Sequence, residues 1–93
     1  MKKPVQIKRE KYFPNMAKLT FNYRESMQMS QNQLSALLGF KNGQYISNIE
    51  RGICSVPKKK AKVFCEILGV DVSLFIATYL ADEQLYIKGA FND

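Results

Sequence analysis

Residues 29–52 read Met-Ser-Gln-Asn-Gln-Leu-Ser-Ala-Leu-Leu-Gly-Phe-Lys-Asn-Gly-Gln-Tyr-Ile-Ser-Asn-Ile-Glu-Arg-Gly. Ser30 and Gln33 have capping-box spacing: the serine oxygen accepts the amide hydrogen three residues on, and the glutamine side chain reaches back. Met29 and Leu34 occupy the two positions of a hydrophobic staple. Leu34, Leu37 and Leu38 supply an apolar stripe, and Gly39 suits the left-handed residue that ends a helix. The spacing predicts a helix over residues 31–38. Phe40-Lys41-Asn42-Gly43 is a turn, and a further helix runs over residues 44–51 and stops at Gly52. At 100° per residue, Tyr45, Ile46, Ile49, Glu50 and Ile53 share one arc of that helix. Gln44, Ser47, Asn48 and Arg51 share the opposite arc, which holds neither an apolar residue nor an acid. Two short helices joined by a tight turn, the second carrying a polar stripe, form a helix-turn-helix pattern.

Outward from this pair, three more helices are expected. The first covers residues 16–28 with Asn15 as its cap, following Pro14; Met16, Leu19, Thr20, Tyr23 and Met27 share its inner face, with Arg24 at the edge. The fourth follows Ser55-Val56-Pro57 and ends at Gly69, with Ala61, Phe64, Ile67 and Leu68 facing a core. The fifth starts at the cap Asp71 and closes at Gly89. It is apolar on two sides: Val72, Phe75, Ile76, Tyr79 and Leu80 on one, Leu74, Ala77, Ala81 and Leu85 on the other. The expected organisation is a basic arm over residues 1–14, a helical domain over 15–88 and a short tail over 89–93. Val5, Ile7 and Arg9 alternate loosely, which fits a short strand or a mobile arm equally well.

Residues 29–52 resemble the DNA-binding motif of the Cro/C1-repressor type, the XRE family. Arg24 matches an arginine which that family places in its first helix, and Leu68-Gly69-Val70-Asp71 resembles its link between helices 4 and 5. The turn between Gly39 and Ile46 is one residue longer than the common pattern. The resemblance covers residues 16–80 and implies an all-α, five-helix, lambda-repressor-like domain. It also implies an ion pair, Arg24 with Glu50, tying helix 1 to helix 3.

The chain has 93 residues, enough for one domain. Its 14 Lys plus Arg against 8 Asp plus Glu give a net charge of +6. The charge is uneven: residues 1–62 carry 13 basic and 3 acidic side chains, residues 63–93 carry 1 and 5. The first part therefore attracts polyanions. With no His and no paired carboxylates or glycine-rich phosphate loop, the sequence does not read as an enzyme. Cys54 and Cys65 make neither a disulfide framework nor a four-ligand zinc site, so no metal or cofactor is expected, and Cys65 reads as core filler. No apolar run is long enough to span a membrane and no signal peptide is evident, which points to the cytoplasm.

Amides and hydroxyls read base edges in the major groove. Gln44, Ser47, Asn48 and Asn42 are the expected base-reading residues. Ser30, Gln31, Lys41, Gly43, Tyr45, Arg51 and Lys58 are the expected phosphate contacts, the first two near a helix start that favours anions. One such module reads few base pairs, so a homodimer on a palindromic double-stranded site is expected, through Leu74, Ala77, Ala81 and Leu85. The function so read is that of a bacterial or phage transcription regulator, a repressor. The alternative is an antitoxin or adaptor whose helices 4 and 5 hold a protein partner and for which DNA is secondary.

Overall fold

The computed structural model describes residues 12–92. They form α1 (Pro14–Ser26), α2 (Gln31–Leu37), α3 (Gln44–Glu50), α4 (Ala61–Leu68) and α5 (Val72–Asn92), with one 3-10 turn at Lys58–Lys60 leading into α4. Among the described residues there is no strand. The Val5–Ile7–Arg9 stretch lies outside them.

Local signals explain where α2 and α3 start and stop. The Gln33 amide donates to Ser30 Oγ at 3.0 Å and the Ser30 amide to Gln33 Oε1 at 2.8 Å, completing the capping box. Gly39 takes φ +85°, and a side chain there would also press on Lys60 Nζ. Asp71 caps α5, its Oδ2 accepting the Ser73 and Leu74 amides at 3.0 and 3.3 Å.

The helices close around one apolar cluster. Met16 and Leu19 of α1, Leu34 of α2 and its C-terminal cap Leu38, Ile46 and Ile49 of α3, and Phe64, Cys65 and Leu68 of α4 meet Phe75 of α5. Phe64 and Phe75 pack ring against ring with centroids 5.6 Å apart. Each large side chain removed from water here contributes roughly 1.5–3 kcal/mol. Burial pushes the Cys65 thiol above its ordinary value, so it stays protonated as core filler.

Several sequence expectations shift. Asn15 does not cap α1; Phe13 holds the cap position and makes no side-chain cap bond. The cap comes instead from α5. Asp82 is fully buried. Its Oδ1 accepts the Asn15 amide at 3.0 Å and Asn15 Nδ2 at 3.1 Å, and its Oδ2 accepts the Met16 amide at 2.7 Å. A carboxylate 66 residues away in sequence therefore satisfies donors that local capping would otherwise take.

The other end of α1 also differs. Gln28 adopts φ +58° and the Met29 amide reaches back to the Arg24 carbonyl at 3.1 Å, so the helix stops at Ser26. This is the left-handed closure usually given to glycine, which is why nothing at position 28 announces it. Met27 is consequently exposed rather than buried, and Leu37 is exposed while Ser35 takes the inner place on α2. α5 passes through Gly89 to Asn92. On α5 only Phe75 of the expected inner face is buried: Val72, Ile76 and Leu80 are 61%, 49% and 59% exposed.

Asp82→Ala should lower unfolding free energy by about 2–4 kcal/mol, since it leaves the α1 donors without an acceptor inside the fold. Chemical denaturation measures this, and a loss below about 0.5 kcal/mol, the level of an ordinary surface change, would show that water replaces the carboxylate.

Candidate nucleic-acid interface

The relative placement of α2 and α3 is held by Arg24, which is only 6% exposed. Its Nε donates to Glu50 Oε2 at 2.6 Å and its Nη2 to Glu50 Oε1 at 3.0 Å, a two-pronged ion pair between α1 and α3. Nη1 donates to the Met29 carbonyl at 2.6 Å, just before α2. Gln31 Nε2, from the first turn of α2, donates to Glu50 Oε1 at 2.9 Å. One carboxylate thus joins three helices. The hydrogen bonds it donates to Glu50 hold the Arg24 guanidinium above its ordinary pKa despite the opposing effect of burial.

With Ile46 and Ile49 fully buried, the rotation of α3 is fixed. Gln44 and Arg51 face water, with Ser47 and Asn48 half-buried beside them. The side chains are joined along the helix: Gln44 Nε2 donates to Asn48 Oδ1 at 3.0 Å, and Arg51 Nη1 approaches the same oxygen at 3.4 Å.

The starts of α2 and α3 border a polar depression lined by Gln31, Asn32, Asn42, Gly43, Gln44 and Ser47. Gly43 holds the cap position of α3, and Asn42 just before it accepts the Gln44 amide through Oδ1 at 2.9 Å. The Asn42 carbonyl also accepts from the buried Ser35 hydroxyl. Gly43 lies close to Asn32: a Cβ there would displace the Asn32 amide oxygen, the movable end of an exposed side chain. Asn32 had no distinguishing signal in the sequence beyond being polar in the first turn of α2; only the approach of the α3 start places it in this depression.

The expected phosphate contacts are arranged unequally. Ser30 Oγ accepts and its amide donates in the capping box, which leaves the hydroxyl hydrogen, and Gln31 gives one Nε2 hydrogen to Glu50, which leaves the other. Lys41 and Arg51 are exposed. Tyr45 stacks on Phe40 with centroids 4.5 Å apart and rings 7° from parallel. Burial, and then the neighbouring Cys54 thiol, raise its phenol above the ordinary value, so it is a neutral donor at physiological pH. Lys60 Nζ lies 5.6 Å from the Phe40 ring centre, a cation over the same turn. Lys58, exposed at the start of the 3-10 turn, also borders an apolar groove between α4 and α5 with Ala61, Phe75, Ile76, Tyr79 and Leu80.

Residues 22–75 match the family model HTH_3, described as helix-turn-helix. The match spans more than half of the 93 residues. The chain belongs to the Cro/C1-type helix-turn-helix family. Its all-helical fold is the lambda-repressor-like one, and it is a helix-turn-helix DNA-binding protein. No curated protein matches the chain. Among the described residues, no helix is long and apolar enough to cross a membrane.

Glu50→Ala should destabilise the fold by about 3–5 kcal/mol, because it strands a buried guanidinium. Thermal and chemical unfolding check this; a melting temperature within about a degree or two of wild type, against the several degrees expected for a domain of this size, would mean that Arg24 finds full compensation elsewhere.

Proposed function

We propose that this protein is a sequence-specific reader of double-stranded DNA. It inserts α3 into the major groove and acts as a cytoplasmic transcriptional repressor. The observation that carries the reading is the orientation of α3. Its two isoleucines are sealed in the core, which turns Gln44, Ser47, Asn48 and Arg51 outward as one polar strip. A helix presenting amides, a hydroxyl and a cation, with no acid on that strip, has the groups needed for base edges and flanking phosphates. Asn42 extends the strip at the α3 start. Ser30, Gln31, Lys41, Gly43, Tyr45, Arg51 and Lys58 are proposed to contact the DNA backbone around it.

The decisive experiment is selection from a random double-stranded pool. An enriched motif is expected, and Gln44→Ala and Asn48→Ala should each cost about 1–3 kcal/mol on that site while relaxing preference at one base position. Unchanged preference in both variants would place the reading surface elsewhere.

We further propose that the protein binds palindromic sites as a homodimer through α5, with half-sites about 34 Å apart. Leu74 and Leu85 are exposed on one flank of α5, with Ala77 and Ala81 between them beside Lys18 and Asn22 of α1. Leu85→Lys should give a monomer in sedimentation and weaken binding to a palindrome far more than to a half-site. If Ile76→Lys dissociates the dimer instead, the contact lies on the opposite flank.

That opposite flank favours a second reading. Val72, Ile76 and Leu80 leave an exposed aliphatic row next to the α4–α5 groove, the kind of surface that an antitoxin or adaptor offers to a protein partner. Salt separates the two readings. DNA binding should fall with a log–log slope of about −0.9 per phosphate contact, whereas apolar burial should show no such dependence.

A further inference from the structure

The amides on α3 are not interchangeable readers, although both Gln and Asn are able in isolation to pair with adenine through one donor and one acceptor. Asn48 Oδ1 accepts from Gln44 Nε2 at 3.0 Å and faces Arg51 Nη1 at 3.4 Å. A guanidinium carries only donors. The Asn48 atom turned toward Arg51 must therefore be the oxygen, and Gln44 must then offer its nitrogen to that oxygen. The Arg51 contact is long, so its role is to set orientation more than to add strength.

An amide oxygen has two lone pairs, and here two neighbours occupy them. Asn48 is left with its Nδ2 hydrogens alone. Gln44 spends one hydrogen on Asn48 and keeps the other, together with its whole Oε1. It still holds the donor–acceptor pair that matches adenine N7 and N6.

We propose that the Arg51–Asn48–Gln44 ladder makes Asn48 a donor-only reader, so that the target site carries adenine opposite Gln44 and, within two base pairs of it, guanine opposite Asn48. Guanine presents two acceptors, N7 and O6, on its major-groove edge, whereas adenine presents an acceptor beside a donor that Asn48 has nothing left to accept. The two positions are close because four residues of helix rise about 6 Å and base pairs are spaced about 3.4 Å apart. Arg51 is a positioning residue in this scheme: it acts on the base through Asn48. The assignment depends on the reading of α3 as the recognition helix.

The test is selection from a random double-stranded DNA pool with the full chain and three variants. Asn48→Ala identifies the base position that depends on residue 48, and wild type should show guanine there, favoured by about fivefold or more. Asn48→Asp keeps an oxygen for Gln44 and Arg51 and replaces the remaining donor with an acceptor, so the preference should switch to cytosine, whose N4 donates. Arg51→Ala frees a lone pair on Asn48, and adenine should become accepted at that position while the Gln44 position stays unchanged. Circular dichroism of each variant should match wild type, since Arg51 is exposed and Asn48 only half-buried. Adenine at the Asn48 position in wild type, or guanine retained in Asn48→Asp, overturns the donor-only assignment. Guanine retained without adenine in Arg51→Ala overturns the part given to Arg51. A pool from which wild type enriches no motif overturns the DNA-reading function itself, an outcome distinct from enrichment with the wrong base.

Discussion

The Arg24 guanidinium sits where α1, the turn into α2 and α3 come together, and its partner Glu50 also receives Gln31 from α2. A recognition unit of two seven-residue helices has little intrinsic helical stability of its own, since such lengths fall well below what isolated helices need in water. The angle between those helices must be imposed from outside the pair. Apolar contacts among Leu34, Leu38, Ile46 and Ile49 supply most of the burial, but apolar contact is non-directional. A two-pronged guanidinium–carboxylate pair has fixed geometry, so it determines how α3 is turned. A buried ion pair of this kind is weak evidence of net stability. Its contribution here is orientation.

That orientation separates two chemistries on one short helix. The inner arc of α3 is aliphatic and aromatic apart from Glu50, and the outer arc is polar. Beside the outer arc the polar depression of Gln31, Asn32, Asn42, Gly43, Gln44 and Ser47 is lined without any charged side chain. The nearest cations in sequence, Lys41 and Arg51, are exposed and are not part of that lining. This arrangement suits a polyanion whose backbone meets charge while its base edges meet neutral donors and acceptors. The hydrogen bonds along Gln44, Asn48 and Arg51 also mean that the outer arc is organised before any ligand arrives, which lowers the ordering cost of binding.

α5 serves a different purpose from the one its apolar pattern suggests. Its buried face is narrow, consisting of Phe75 and the carboxylate of Asp82, with Tyr79 alongside. Tyr86 extends the contact by stacking on Phe13, with centroids 5.4 Å apart. The helix is a strut that locks the start of α1 through Asp82, and α1 in turn carries Arg24. Both flanks of the strut stay exposed and aliphatic, which accounts for a hydrophobic helix that covers so little of the core.

Much of this was legible in the sequence because it depends on neighbours within one turn. The Ser30–Gln33 box, the left-handed Gly39, the Asp71 cap and the outer strip of α3 all follow from spacings of two to four residues and from steric rules that hold in any context. The Arg24–Glu50 pair came from a family resemblance, not from spacing. What tertiary structure alone decided are the contacts between distant segments. Asp82 looks like a solvated acid until α5 lies across the start of α1, and then it replaces Asn15 as the cap. Gln28 carries no sign of its left-handed conformation, because bonds between its neighbours hold it there: the Met29 amide reaches the Arg24 carbonyl and the Arg24 guanidinium reaches the Met29 carbonyl. Val72, Ile76 and Leu80 have the periodicity of a core face, yet helical periodicity reports that a stripe exists and not whether a neighbour reaches it. Asn32 enters the polar depression only because the start of α3 packs beside the start of α2. The sequence determined which helices form and what each face carries; packing determined which faces meet, because a contact between residues dozens of positions apart leaves no local trace in either of them.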